Sequence, residues 1–249
     1  MQCAVVLRLF ENPLAGMEFP GVDPRAFRAD PFRAARLAQS VLEPLPVFSA
    51  AFLARAGAWE FALGFGRSAE FAEVVTEGAS LPVAGARYLA RGLNDSIALG
   101  AVLALEHALL RGEVGAGAGA PQAEVALSGS VALLALPVGT LEHHAAGLAL
   151  VRSIDAATQW ERIWGASRWS VPLPVVGEAK EEVLIVHHEA GNVTAELVSA
   201  ELGGLLRLCA SGATVEAVRS HLIAELEADG ADELVADLVQ DRLLRRVRP

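Results

Sequence analysis

The chain has 249 residues, a formal net charge of −10 and an isoelectric point near 5.1, with 53% hydrophobic but only 6% aromatic residues. That length can bury a sizeable core in one large or two modest domains, and the apolar content excludes a disordered chain. The acidic balance repels polyanions and anionic membrane surfaces, leaving neutral or basic partners as the expected ones.

Two cysteines, Cys3 and Cys209, lie far apart without C-x-x-C spacing, so neither a disulfide framework nor a cysteine zinc site is indicated. Residues 1–8 carry no basic segment ahead of an apolar stretch, and no small-residue cleavage site follows, so no secretory signal is read there. The longest apolar run, 97–105, is about half of the ~20 residues a spanning helix needs. A cytoplasmic protein with no membrane contact is expected.

The first 112 residues read as helices fitted between prolines, because Pro13, Pro20, Pro24, Pro31, Pro44, Pro46 and Pro82 each bias the preceding residue away from helix. The spacing predicts helices over 32–42, 47–58, 68–76, 85–92 and 96–111. The last is apolar nearly all round through Ile97, Leu99, Val102, Leu103, Leu105, Leu109 and Leu110, with Ser96 as its N-cap, so it is the expected buried helix of this half. Alternating Gly and Ala from Val114 to Pro121 cannot hold a helix or strand. The predicted organisation is therefore a helical domain over 1–113, a linker over 114–122 and an α+β domain over 123–249.

Beyond the linker, 124–136 reads as a buried strand, or a bulged pair around Ser128-Gly129-Ser130, ending at Pro137. Residues 141–164 are compatible with a helix, and 167–180, with Pro172, Pro174 and Gly177, with a loop. Residues 182–249 are the most informative part. Val183-Leu184-Ile185-Val186 is an apolar strand, Glu189-Ala190-Gly191-Asn192 a turn, and 193–197 an alternating strand. Three amphipathic helices follow: one capped by Ser199 and stopped by Gly212, one capped by Thr214, and one from about Asp232, with Gly230 in the turn between the last two. Arg242, Arg245 and Arg246 are placed near the C-terminus of the last helix, where its dipole favours cations. This pattern is that of a small winged helix-turn-helix.

Residues that could do chemistry are sparse. His143-His144, His187-His188 and Glu106-His107 invite a metal, but adjacent histidines diverge by about 100° on a helix and point to opposite faces of a strand. Half-exposed imidazoles at element ends are the expected alternative. Cys209 lies on an apolar helix stripe, where an inert thiol is expected, and Ser128-Gly129-Ser130 lacks a nucleophile elbow. Gly64-Phe65-Gly66 and the Gly115–Gly119 stretch have no G-K-[ST], so they read as turn and linker rather than phosphate loops. Trp160, Trp164 and Trp169, interleaved with Arg162 and Arg168, suit an interface, either with the first domain or with a partner enzyme. The last helix opens with Asp232, Glu233, Asp237 and Asp241, which a DNA phosphate backbone would repel. The wing is then better read as a sheet edge on which an extended peptide adds a strand.

With those residues in view, the C-terminal third resembles the PqqD-like RiPP recognition element of ribosomally made, modified peptide biosynthesis. The resemblance rests on the strand hairpin followed by Glu201-Leu202-Gly203-Gly204-Leu205-Leu206-Arg207-Leu208-Cys209, the Gly212 turn and the Thr214-Val215-Glu216 helix start. The whole chain is similar to the MbnC/HvfC-like partner proteins of multinuclear non-haem iron oxidative enzymes. Ala101-Val102-Leu103-Ala104-Leu105-Glu106-His107-Ala108 and Leu127-Ser128-Gly129-Ser130-Val131-Ala132-Leu133-Leu134 carry that similarity, while His187 stands where the family often has Arg and no Phe-Pro pair occurs near Leu45-Pro46.

The resemblance implies an α+β fold: an N-terminal helical bundle, then a winged helix-turn-helix with a small antiparallel sheet at about 182–249. It also implies a non-catalytic subunit that binds the leader of a precursor peptide and presents it to a non-haem iron peptide-modifying enzyme in a heterodimer. Iron would reside in that partner and no cofactor in this chain. The leader-binding edge would map to Asn192, Val193, Thr194, Ala195 and Glu196, with Leu234, Leu238, Arg242 and Arg245 on the facing helix. The competing expectation is a winged-helix DNA-binding regulator, supported by the basic tail Arg242, Arg245, Arg246 and Arg248. An enzyme is the third alternative, and no acid, base and nucleophile constellation supports it.

Overall fold

The structure, a computed structural model, describes residues 36–53, 58–92, 97–110, 123–153, 180–189, 191–222 and 228–247. It is a mixed helix and strand protein with small antiparallel sheets. It divides into two compact units, Met1–His107 with Glu142–Val175, and Ala108–Leu141 with Val176–Pro249. The linker reading at 114–122 and the segment with Trp160, Trp164 and Trp169 lie outside the described residues. No described helix is long and apolar enough to cross a membrane.

The described part of the first unit is helical. It comprises α1 (36–42), α2 (Pro46–Leu53), α3 (Ala58–Phe65), α4 (Ala69–Glu77), α5 (Leu81–Arg91) and most of α6 (Ile97–Leu110) and α7 (Thr140–Arg152). Leu42, Leu45, Phe48, Phe65, Leu99 and Leu105 are fully buried in it. Pro46 and Pro82 fall in first helical turns, where the missing N–H has no intrahelical acceptor to lose. The helix predicted over 85–92 therefore starts four residues earlier, at Leu81.

A second correction concerns Gly64, read as part of a turn but found inside α3. A Cβ there would lie 2.1 Å from the Tyr88 hydroxyl, so any larger residue at this close approach forces the Tyr88 side chain of α5 to shift. Gly85 allows α5 the same intimacy with Val41. Ser68 caps α4 by accepting the Phe71 N–H, and Gly78, at φ +70, ends it.

The second unit contains β1 (Val125–Leu127), β2 (Val131–Pro137), β3 (Glu181–Glu189), β4 (Asn192–Val198), α8 (Ala200–Ala210), α9 (Val215–Leu222), α10 (Ala228–Gln240) and β5 (Leu244–Arg246). The stretch read as one strand or bulged pair is two strands in two sheets: β1 pairs with β5, and β2 opens the antiparallel order β2-β3-β4. The turn at Ser128-Gly129-Ser130 separates them. One core joins the two sheets to the three helices through Val125, Val131, Ile185, Leu205, Leu206, Cys209, Val218, Val235, Leu238 and Leu244. Gly203 lets α8 approach Val183 closely, since a Cβ would meet that side chain at 3.0 Å.

The cap readings hold here. Ser199 accepts the Leu202 N–H, Thr214 accepts that of Ala217, and Gly212, at φ +88, closes the intervening turn. The last helix differs in two ways. It starts at Ala228, so Gly230 is internal to it, at a cost of about 1 kcal/mol relative to alanine. It also ends at Gln240, so Arg242, Arg245 and Arg246 are not helical: Arg245 and Arg246 lie on β5, opposite Ala126 and Val125. The stop is a Schellman arrangement, with Leu243 N bonded to Leu238 O, Arg242 N to Val239 O, and Arg242 itself at φ 59.

Candidate functional site

The hairpin β3–β4 closes between Glu189 and Asn192 and runs without a bulge to the pair Val183–Val198. Backbone direction follows from one bond. His188 N–H donates to Ser130 O on the β2 side, so the polar groups of His188 point away from β4, and its partner Val193 occupies a non-hydrogen-bonded site of the β3–β4 ladder. Val193, Ala195 and Leu197 therefore aim their N–H and C=O outward. Asn192, Thr194, Glu196 and Val198 spend theirs on β3. Among the described residues β4 pairs with no other strand.

Side chains divide the same way. Ile185, a core residue, is paired with Glu196, so Thr194, Glu196 and Val198 share the helix-covered face of the sheet. Val193, Ala195 and Leu197 share the other face with Leu184 and Val186, and Val193 and Leu197 are 41% and 50% exposed. The sequence Asn-Val-Thr-Ala-Glu-Leu-Val has no Lys, Arg or Pro to guard the edge, and Glu196 is its single charge.

The helix-borne candidates are dispersed. Leu238 is buried in the core and Leu234 is half-buried against it. Arg242 is exposed and donates to Glu189, 2.8 Å away, which places it at the turn end of β4 because Glu189 faces Asn192. Arg245 belongs to β5. On α10 the acidic residues Asp232, Glu233, Asp237 and the adjoining Asp241 are exposed, and a hydrogen bond from Arg219 holds the Asp232 carboxyl below its usual range. Trp160, Trp164 and Trp169 have no described position.

The histidine expectation needs correcting: His143 and His144 are buried in the first turns of α7 rather than half-exposed. His144 Nε2 lies 3.3 Å from Glu106 Oε1, and burial followed by the neighbouring His144 pushes the His143 pKa down from 6.5. His188 Nε2 lies 2.9 Å from Ala108 O. Among the described residues no three His, Cys, Asp or Glu side chains are grouped to hold a metal ion. Cys209 is buried, which raises its thiol to about 11 and keeps it protonated at neutral pH.

Two buried acids stand out: Glu106, read from sequence only beside His107 as a possible metal group, and Glu70, which sequence reasoning missed. Glu106 accepts the N–H groups of Val47 and Phe48 at 2.8 and 3.0 Å, capping α2 from a helix 58 residues away. Glu70, the second residue of α4, lines a cavity of about 450 Å³ with Phe52, Phe61, Tyr88 and Arg91. A glutamate within an apolar helical pattern was the available signal in both cases. No protein-family model matches the chain, and no curated protein is found to be similar to it.

Proposed function

We propose that this protein is a peptide-recognition subunit that binds an extended segment as an added strand on β4. The carrying observation is the rim of that strand, unpaired among the described residues, with outward amides and carbonyls at Val193, Ala195 and Leu197 and two exposed apolar side chains along the same row. Main-chain hydrogen bonds would supply affinity and the Val193 and Leu197 side chains would select an apolar residue at alternate positions of the guest. The acidic chain favours a basic or amphipathic guest.

The order of a hairpin followed by three helices supports a PqqD-like winged-helix reading of 182–249. On that reading the guest is the leader of a ribosomally made precursor peptide. This chain then delivers it to a non-haem iron peptide-modifying enzyme in a heterodimer, contributing no catalytic residue itself. The exposed carboxylates of α10 disfavour the DNA-binding alternative, which predicts a gel shift that weakens steeply with salt.

The test uses the fluorescently labelled leader of any precursor peptide found encoded beside the gene. Val193→Pro and Leu197→Pro each remove an outward donor while sparing the β3 ladder, and each should weaken binding about tenfold. Thr194→Pro instead breaks an internal ladder bond and should lower stability. Leader affinity indifferent to both outward prolines rejects strand addition.

A further inference from the structure

The cavity in the first unit is lined by Phe52, Phe61 and Tyr88, with Glu70 and Arg91 as its charged residues. Glu70 is only 1% exposed, yet it is poorly satisfied. Its Oε1 lies 2.7 Å from Nη2 of Arg91 in an ion pair without hydrogen-bond alignment, and its Oε2 has no hydrogen-bond partner. Arg91 itself is 71% exposed, so it neutralises the acid from the cavity mouth rather than from within. Buried carboxylates are normally fully bonded, because leaving one oxygen bare forfeits its hydration without return.

Aromatic walls around a carboxylate suit one ligand chemistry. A cationic nitrogen is attracted to the ring faces, its N–H groups match the acceptor-only carboxylate, and its carbon body fills apolar space. The volume, about 450 Å³, falls within the range of small-molecule sites. An anion would meet Glu70 directly, and a neutral apolar ligand would leave Oε2 unbonded.

We infer that the Phe52, Phe61, Tyr88 and Glu70 cavity binds an organic cation, an ammonium or guanidinium group, which supplies the hydrogen bonds that Oε2 lacks. The cation arrives as a free amine or as a Lys or Arg side chain of a polypeptide. The net charge of −10 raises the local concentration of either. This site is independent of the β4 edge.

Tyr88 is the chain's single tyrosine, so 3-fluorotyrosine incorporated into the full-length protein places one fluorine resonance on the cavity wall. Benzylammonium, capped glycyl-lysyl-glycine and capped glycyl-arginyl-glycine should each shift that resonance saturably, whereas benzyl alcohol should not. Tighter binding of benzylammonium assigns a free amine, and tighter binding of a tripeptide assigns a polypeptide side chain. Glu70→Gln should weaken the cations about tenfold or more, and Arg91→Gln, which removes the competing guanidinium, should tighten them several-fold. Equal binding of benzyl alcohol, no cation response up to ~10 mM, or unchanged affinity in Glu70→Gln overturns the inference. Should Glu70→Gln fail to fold, unchanged or weakened binding in Arg91→Gln overturns it equally.

Discussion

Glu106 and Glu70 are alike in chemistry and burial, at 2% and 1% exposure, and opposite in their bonding. Glu106 has both oxygens engaged, by two backbone N–H groups at the start of α2 and by His144. Glu70 has one oxygen in an imperfect ion pair and the other bare. The contrast separates an acid kept for the fold from an acid kept for a ligand. A carboxylate that completes a helix end offers nothing to a guest, while one left incomplete beside a cavity stores binding energy.

Removing the first acid should cost most. Glu106→Ala strips the acceptors from Val47 and Phe48 and leaves two buried donors without partners, so urea unfolding should show a loss of about 3 to 5 kcal/mol. A loss below about 1 kcal/mol would mean that solvent reaches this helix end and that the capping account is wrong. Glu70→Leu should behave differently under the same measurement. It discards only an ion pair to the exposed Arg91 and relieves a bare buried oxygen, so stability should change by less than about 1 kcal/mol or rise. A loss matching that of Glu106→Ala would make the two acids equivalent and dissolve the comparison.

Neither acid could be told apart from sequence, and the reason extends to the rest of the molecule. Local signals were legible: the Ser199 and Thr214 caps, the Gly212 stop and the turn before Asn192 depend on residues within a few positions of one another. Long-range pairings were not. Val125–Leu127 and Leu244–Arg246 look like the end of one segment and the end of a helix until they meet across the core. The end of α10 was hidden because Arg242, with no glycine to announce it, adopts φ 59, where Glu189 holds its guanidinium. The β4 rim was readable as a candidate edge from its alternation. Which of its amides point outward depended on the β2 partner, so Val193 and Thr194 looked interchangeable until His188 was seen bonded to Ser130.

The smallest predicted effect sharpens the comparison from its polar surroundings. His143 sits beside the Glu106–His144 pair, and its own Nε2 has no hydrogen-bond partner. Burial, and then the proximity of His144, depress its pKa below the ordinary 6.5. Folding therefore favours the neutral ring. The associated stability is present above 6.5 and is lost as pH falls through the depressed folded value, because the unfolded chain binds the proton more readily. His143→Gln removes this contribution while keeping a polar group of similar reach. Its melting temperature should fall less than that of the wild type between about pH 7.5 and pH 5, and the two curves should run parallel above about pH 7.5. A variant that keeps the full acid-induced drop would assign that drop to other groups and remove His143 from the account.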